Sequence, residues 1–521
     1  QGVAVGRKAL EANTTGNNNS AVGHYALGSN TEGGNNVALG REALAANTTA
    51  SNNTAIGYFT ATSNTTGTGI TAVGQGGLQN NTTGTNNTAV GNTALQQNTT
   101  ASNNTAIGKS ALGANTSGTN NTVVGSLALD ANTTRHDNTA IGYKALTNQS
   151  VADKNTAVGS NSMAANQTGE YNVAVGANSL DANTTGNSNT AIGQGALSEA
   201  TTADNNTAVG YQSLHLNTTG ARNVAVGVNA LDANTTGHNH IAIGNEALGA
   251  NTTGNDNLAI GYSTLEKNTT GTKNVGVGSN ALEDNVTGNY NVAVGYDVLR
   301  EATASNNTGV GFEALKNNTT AGTNTAVGAT ALKTNTTGSQ NTATGYGVLQ
   351  NNSTANNNSG FGYAALNANT TGAGNTAVGS FALDANTTAS NNTAVGFQSL
   401  TQVTTGAGNT AVGADALQQL TTGGSNTAVG HFALDAATTA SSCVAVGRNC
   451  LSAVTTSGSN VAMGDNTGNS ITTNSDNTIV GSLAGNSGNI NQCTIIGKGA
   501  FANAGDGDAT SVFIGYNCGH N

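Results

Sequence analysis

The chain has 521 residues, a formal net charge of −11, 8% charged residues, and neither proline nor tryptophan. The charge is sparse and contains no basic run, which argues against a partner that is nucleic acid or an anionic membrane surface. No apolar run approaches the roughly 20 residues of a membrane-spanning helix, so we expect no membrane insertion in this segment. The lack of proline favours continuous strand ladders over disorder, because proline has no backbone N–H to donate.

A 17-residue repeat runs along the chain, with the consensus Asn-Thr-Ala-Val-Gly-x-x-Ala-Leu-x-x-Asn-Thr-Thr-Gly-x-Asn. We number it from the alanine of Ala-Val-Gly, called position 0, which falls at residues 4, 21, 38 and onward to 293. After one 16-residue step to 309, steps of 17 resume to Ile479, and steps of 16 and 18 reach Ile495 and Phe513. We predict regular repeats over 1–455 and a degenerate continuation over 456–521. Since both ends fall within a repeat, we expect a segment of a longer product.

Each repeat begins with a short strand, as at Thr88 to Val90, where β-branched residues flank an alanine. The Asn-Thr-Thr-Gly segment that follows is typical of a turn, because Gly and Asn tolerate a positive φ. Thr, Asn and Gly at this density oppose a helix. The sequence therefore predicts an all-β fold, a β-solenoid or parallel β-roll of about thirty-one coils, each pairing with the coils on either side.

Two columns of apolar residues are predicted to form the core of this solenoid. Position +1 is Val or Ile in most repeats, as at Val90 and Ile107, and position +6 is Leu, as at Leu95 and Leu112. The opposite face of the strand carries Asn, Ala and Gly, and we expect this smooth face to approach another sheet, either across the roll or on another chain. A thin core of this kind favours self-association, as a lateral trimer or an end-to-end filament.

The residues Asn87 to Leu95 and Asn172 to Gly176 resemble the head repeats of trimeric autotransporter adhesins. Similar repeats occur in phage tail-fibre-like proteins. The resemblance implies a left-handed parallel β-roll, association of three chains, and a head that binds host matrix or other surfaces.

One asparagine column lies two residues before position 0, and we call its members the strand asparagines. It includes Asn53, Asn87, Asn104 and Asn121. In two repeats this residue is Cys443 or Cys493, which indicates an enclosed site. We predict a ladder whose amides hydrogen-bond from coil to coil.

A second asparagine column lies at position +9, and we call its members the turn asparagines. They lie in Asn-x-Thr or Asn-x-Ser sequons, so a glycan-coated fibre is one hypothesis, and turn chemistry alone is the other. The candidate attachment sites are Asn13, Asn47, Asn64, Asn81, Asn98, Asn115, Asn132, Asn166, Asn183, Asn217, Asn234, Asn251, Asn268, Asn285, Asn318, Asn335, Asn369 and Asn386. Additional sequons occur at Asn52, Asn86, Asn103 and Asn391. Replacement of the turn asparagine by Ala200, Ala302, Val403, Leu420, Ala437 and Val454 favours burial, where no glycan fits.

Other residue types point to chemistry only weakly. Paired threonines such as Thr99 and Thr100 raise ice binding as a minor alternative, although extended backbone would turn them to opposite sides. The seven scattered histidines have no recognised metal spacing and are expected in exposed loops. The segment 505–508, Gly-Asp-Gly-Asp, resembles part of a calcium loop but stands alone.

Four cysteines, Cys443, Cys450, Cys493 and Cys518, lie near the C-terminal end. Cys443 and Cys493 share a column three coils apart, about 14 Å, which is too far for a disulfide. A bond between Cys443 and Cys450 requires the coil to fold them together, and bonds between chains stay open, so the redox compartment is undetermined.

These observations together predict a non-enzymatic extracellular or cell-surface fibre without a cofactor or metal. The alternative is an adhesin or tail-fibre-like binding module that recognises a surface glycan or matrix protein. In that case tyrosines at position +3 (Tyr58, Tyr143, Tyr211 and Tyr296) would contact the ligand.

Overall fold

A computed structural model describes residues 2–486, 490–502 and 510–519. Its described residues form three-residue strands joined by turns, with no helix, which confirms the all-β solenoid. The chain divides into two compact units, residues 1–260 and 261–521. Strands β1–β16 belong to the first unit and β17–β31 to the second.

The strands recur at the interval of the sequence repeat. Those of the first unit are Val3–Val5 (β1), Ser20–Val22 (β2), Val37–Leu39 (β3), Thr54–Ile56 (β4), Thr71–Val73 (β5), Thr88–Val90 (β6), Thr105–Ile107 (β7), Thr122–Val124 (β8), Thr139–Ile141 (β9), Thr156–Val158 (β10), Val173–Val175 (β11), Thr190–Ile192 (β12), Thr207–Val209 (β13), Val224–Val226 (β14), Ile241–Ile243 (β15) and Leu258–Ile260 (β16). Those of the second unit are Val275–Val277 (β17), Val292–Val294 (β18), Thr308–Val310 (β19), Thr325–Val327 (β20), Thr342–Thr344 (β21), Ser359–Phe361 (β22), Thr376–Val378 (β23), Thr393–Val395 (β24), Thr410–Val412 (β25), Thr427–Val429 (β26), Val444–Val446 (β27), Val461–Met463 (β28), Thr478–Val480 (β29), Thr494–Ile496 (β30) and Val512–Ile514 (β31).

Within each unit, every strand pairs in parallel with the strand of the next coil, and equivalent repeat positions lie opposite each other. In β6 and β7, for example, Ala89 is the partner of Ala106. Pairing continues through the turns, where the Leu95 amide donates to the Ala111 carbonyl at 3.1 Å. Because strand and turn both bond to the next coil, identical residues stack into columns along the solenoid.

The turn after each strand requires a left-handed backbone at several positions. Gly91 has a φ of +140°, and a Cβ there would lie 2.4 Å from the carbonyl oxygen of Gly108 in the next coil. Thr93 and Leu95 in the same turn also have positive φ, at 56° and 49°, as does Asn103 before the next strand, at 62°. Asparagine adopts this region readily, but leucine does not, so tertiary contacts offset the strain at the leucine.

The interior is formed by small and amide side chains around the leucine column. Ala89, Ala94 and Leu95 are fully buried, which confirms the predicted +6 core column. The predicted +1 core column is wrong, because Val90 is only half-buried and Ile107 is 40% exposed. The chain turns towards the Ala and Asn side of the strand. The alanines, asparagines and leucines of that side fill the interior, so the β-branched residues at position +1 lie outside.

Candidate functional site

The strand asparagines form a continuous buried ladder in which each amide bonds to two coils. The Oδ1 atom of Asn104 accepts a hydrogen bond from the backbone N–H of Asn121 at 2.9 Å. Its Nδ2 atom donates to the Gly118 carbonyl at 2.8 Å. The same geometry recurs at Asn87, whose Oδ1 accepts from the Asn104 N–H at 3.0 Å. Asn53 also lies in this buried ladder, and the prediction of an asparagine ladder is confirmed.

The turn asparagines form a second ladder, in which amide donates directly to amide. The Nδ2 group of Asn98 donates to Oδ1 of Asn81 at 2.7 Å and to the Ala101 carbonyl at 3.0 Å. The Ala101 carbonyl also accepts from Asn87 at 2.7 Å. In coils that carry both asparagines, the two columns therefore share one carbonyl, which satisfies polar groups in the buried interior.

This burial overturns the glycan assignment to the turn asparagines. Every one of the eighteen candidate sites from Asn13 to Asn386 is buried, except for half-buried Asn13 in the first coil. A glycan would have to attach to Nδ2, whose two hydrogens are already donated at residues such as Asn98. The additional sequons differ, because Asn52, Asn86, Asn103 and Asn391 are exposed. Glycosylation at those exposed residues stays a prediction.

At two gaps in the turn-asparagine ladder, a buried acceptor is left without a donor. Asn285 precedes Ala302 and Asn386 precedes Val403, and in both asparagines Oδ1 is buried without a hydrogen-bond partner. The column stays buried where it turns apolar, as at Val403 and Leu420. A single apolar residue therefore interrupts the ladder.

The one-coil gap at Ala200 offers a test of this dependence. We expect Ala200→Asn to stabilise the surrounding coils by about 1–2 kcal/mol, because the new amide can donate to Asn183 and accept from Asn217. Urea denaturation and hydrogen exchange of the coils 183–220 would measure the gain. Ala200→Val is the matched control, since it adds similar volume without hydrogen bonds. Equal gains from both variants would assign the effect to packing alone.

The cysteines are free thiols, in agreement with the spacing argument. Cys443, Cys450 and Cys493 are buried and Cys518 is half-buried. Burial raises the pKa of the Cys450 thiol to about 12 and also raises the pKa of Cys443. These two thiols are therefore protonated and unreactive at neutral pH.

The histidines occupy more varied positions than the sequence predicts. His431 is exposed, whereas His240 is completely buried in the strand-asparagine ladder, so the expectation of exposed histidines is wrong there. His215 Nδ1 lies 2.6 Å from Ser198 Oγ and 3.3 Å from the Gly195 carbonyl. With Ser198 only 4% exposed, this contact joins two coils and does not present a nucleophile. His520 and the segment 505–508 lie outside the described residues.

Among the residues that the structure describes, no group of three or more His, Cys, Asp or Glu could hold a metal ion. The same residues include no helix with the length and apolarity to cross a bilayer.

The paired threonines do not present a row of free hydroxyls. Thr99 Oγ1 donates to the Thr116 carbonyl at 3.1 Å, and Thr82 Oγ1 donates to the Thr99 carbonyl at 3.0 Å. The first threonine of each pair is thus another bond between coils, while Thr100 is exposed. This arrangement does not favour the ice-binding alternative.

Two surfaces on the outside of the coils remain as candidate binding faces. The first is the outer strand face, formed by positions −1 and +1, such as Thr88 and Val90. The second is the aromatic column at position +3, where Tyr58, Tyr143 and Tyr211 are 40–50% exposed. The sequence predicted the exposed tyrosines, but it placed the outer strand face in the core.

Comparison of the chain with models of known protein families gives no match, and comparison with curated proteins gives none either.

Proposed function

We propose that the protein is the subunit of an extracellular or cell-surface structural fibre, with no enzymatic activity. The observation that carries this proposal is the repetition of one closed hydrogen-bonding scheme in coil after coil. Both asparagine ladders and the threonine bonds run along the solenoid, so adding a coil adds length and the same set of contacts. A fibre uses this property directly.

The outer strand face supports lateral association of such subunits. In the described strands, positions −1 and +1 carry no charged residue, and they are mainly Thr, Val and Ile. Sixteen strands of the first unit, about 4.8 Å apart and about 10 Å long, give a face of roughly 770 Å². A standard protein interface buries about 800 Å² on each partner. An uncharged face of this size suits a second copy of the same chain.

Charged substitutions on this face test the proposal. We expect the full chain to form trimers or larger assemblies in light scattering and fibres in electron micrographs. Val73→Lys with Val90→Lys should shift it to the monomer, because buried lysines would lose solvation without a partner. Gln75→Lys with Asn92→Lys is the matched control in the same two coils, on the aromatic column. A wild-type chain that stays monomeric at high concentration, or a control that dissociates equally, contradicts lateral association through this face.

A binding module, adhesin or tail-fibre-like, is the second candidate function. Its support is the row of half-exposed aromatic side chains at position +3, since soluble proteins use exposed aromatics at recognition sites. Saturable binding to an immobilised glycan or matrix protein, lost when Tyr58, Tyr143, Tyr211 and Tyr296 are replaced by serine, would support this function.

A further inference from the structure

The aromatic column of the second unit follows a pattern that the repeat itself does not require. Over nine successive coils, small residues interrupt aromatic residues at every third position. In order, the residues at position +3 are Tyr262, Ser279, Tyr296, Phe312, Ala329, Tyr346, Tyr363, Ser380 and Phe397. The six aromatic side chains are each at least half exposed.

Where two aromatic residues occupy adjacent coils, their rings stack. The ring centroids of Tyr296 and Phe312 are 5.8 Å apart with an interplanar angle of 10°. Those of Tyr346 and Tyr363 are 5.4 Å apart, also at 10°. Parallel rings at this distance cannot lie edge to edge without overlap, so they form offset stacks. Their faces are therefore directed towards the neighbouring coils.

The coil that carries Ala329 leaves a gap in this stack, which we call the Ala329 slot. Its walls are the ring faces of Phe312 and Tyr346, and its floor is Ala329. The walls are two coil spacings apart, about 9.6 Å, so a ring placed midway lies about 4.8 Å from each wall. The walls are 51% and 55% exposed, so solvent reaches the slot from outside.

Polar groups occupy positions +4 and +7, which line one pocket together with position +3 in the coils of Gln194 and Tyr211. Lys333, in the same coil as Ala329, lies 2.7 Å from a carboxylate oxygen of Glu313. Lys316 contacts Glu313 at 2.7 Å and Asp297 at 2.8 Å. Hydrogen bonds from Lys316 and Lys333 lower the pKa of Glu313 below its ordinary value. The network is thus fully charged at neutral pH, and it offers donors and acceptors for hydroxyl groups next to an apolar sandwich.

We propose that the Ala329 slot binds a pyranose ring whose hydroxyl groups are all equatorial, as in β-linked glucose polymers. Such a ring has C–H groups on both faces, which point at the two aromatic walls, and its pucker brings them closer to the carbon contact distance of about 3.5–4.0 Å than a flat ring would come. Its equatorial hydroxyls point outward from the ring edge, where Glu313, Lys333 and Thr330 lie. An axial hydroxyl, as in mannose, would press a polar group against an aromatic face.

The Ser279 slot, between Tyr262 and Tyr296, repeats the same arrangement three coils away, at about 14 Å. The gap over Ser380 differs, since the ring of Phe381 contacts Tyr363 edge-on at 5.2 Å and partly fills it. The site therefore consists of two open slots. This proposal rests on the second candidate function, the binding module, and names its ligand class.

Filling the slots with tyrosine tests the assignment while extending the aromatic stack. Titration of the full chain with cellohexaose, followed by NMR and calorimetry, should show saturable binding. Ser279→Tyr with Ala329→Tyr should weaken it at least tenfold. Asn92→Tyr with Ala177→Tyr is the control, because the adjacent coils at these residues carry no aromatic wall, and it should bind as the wild type does. Phe312→Ala with Tyr346→Ala removes the walls and should also abolish binding.

The other outcomes separate the alternatives. Mannohexaose that binds as tightly as cellohexaose overturns the equatorial selectivity. A planar dye such as thioflavin T that competes for the slots, with no sugar binding, overturns the sugar assignment. If cellohexaose binds the filled variant as it binds the wild type, the slots are wrong while a binding module elsewhere on the column stands. If the full chain binds neither sugar nor dye, the result contradicts both the binding site in the slots and the proposed role of the aromatic column in recognition.

Discussion

Replacing Asn104 with alanine is expected to lower the local free energy of unfolding by about 2–4 kcal/mol, because it leaves buried polar groups without partners. The backbone N–H of Asn121 loses its acceptor, and the Gly118 carbonyl loses one of its two amide donors. Asn104 is fully buried, so water cannot replace either bond without entering the interior.

The measurement must be local, since solenoids unfold in parts and a single midpoint does not describe them. Hydrogen exchange of the Asn121 amide and its neighbours should accelerate in Asn104→Ala, together with a lower urea midpoint. Asn92→Ala is the matched control in the preceding coil: it is exposed and lies outside both ladders, and we expect a change below about 0.5 kcal/mol. If Asn104→Ala and Asn92→Ala behave alike, the ladder does not stabilise the fold.

The second large effect concerns His240, which takes the place of a strand asparagine. Its Nε2–H donates to the Gly254 carbonyl at 2.6 Å, as an asparagine Nδ2 does. Its Nδ1 accepts from the Asn257 N–H at 3.3 Å, as an asparagine Oδ1 does. These two contacts require the neutral imidazole, because a protonated Nδ1 would direct a hydrogen at the N–H donor. Burial lowers the pKa of His240 from 6.5 to about 4.

The sign of the pH dependence follows from this lowered pKa. Between pH 4 and 6.5 the unfolded histidine binds a proton that the folded one does not, so stability falls as the pH falls through this range. The difference in pKa corresponds to about 3 kcal/mol. The stabilisation from neutral His240 is fully present above pH 6.5 and is completely lost below pH 4.

We therefore expect His240→Asn to remove the loss of stability between pH 7 and 4.5 in the coils around residue 240. Exchange of the Asn257 amide and urea unfolding at both pH values would measure it. His431→Asn, which replaces an exposed histidine of the second unit, is the control and should leave the pH dependence of the coils around residue 240 unchanged. Identical pH profiles for wild type and His240→Asn would contradict the assignment.

Much of the architecture could be predicted because a constant repeat length places equivalent residues of successive coils opposite each other. The 17-residue interval sets which residues stack, and the observed register confirms it, with Ala89 opposite Ala106. The change from Asn to Cys443 or to Val403 correctly indicated two enclosed columns, and both replacements are buried. The spacing of the cysteines also excluded a bond between Cys443 and Cys493, and both are free thiols.

What failed was the assignment of the inner and outer faces. Hydrophobicity placed Val90 and Ile107 inside and left alanine for a contact surface, although alternation correctly put them on opposite faces. The sequence also could not show that Phe312 and Tyr346 enclose a slot, because this depends on the ring stacking in adjacent coils. Likewise, the sequence predicted His240 in an exposed loop, and only the structure shows that this residue lies in a buried column.

The sequence by itself determined the number of coils, the register between them and the columns of like residues, because an in-register parallel stack follows from the repeat alone. Only the tertiary structure decided which face of the strand is enclosed. The turn after Gly91 curves the chain towards the alanine side, and the closed coil leaves room for alanine, leucine and hydrogen-bonded amides. Amide ladders satisfy their polar groups there, so asparagine is buried while valine and isoleucine form the outer face.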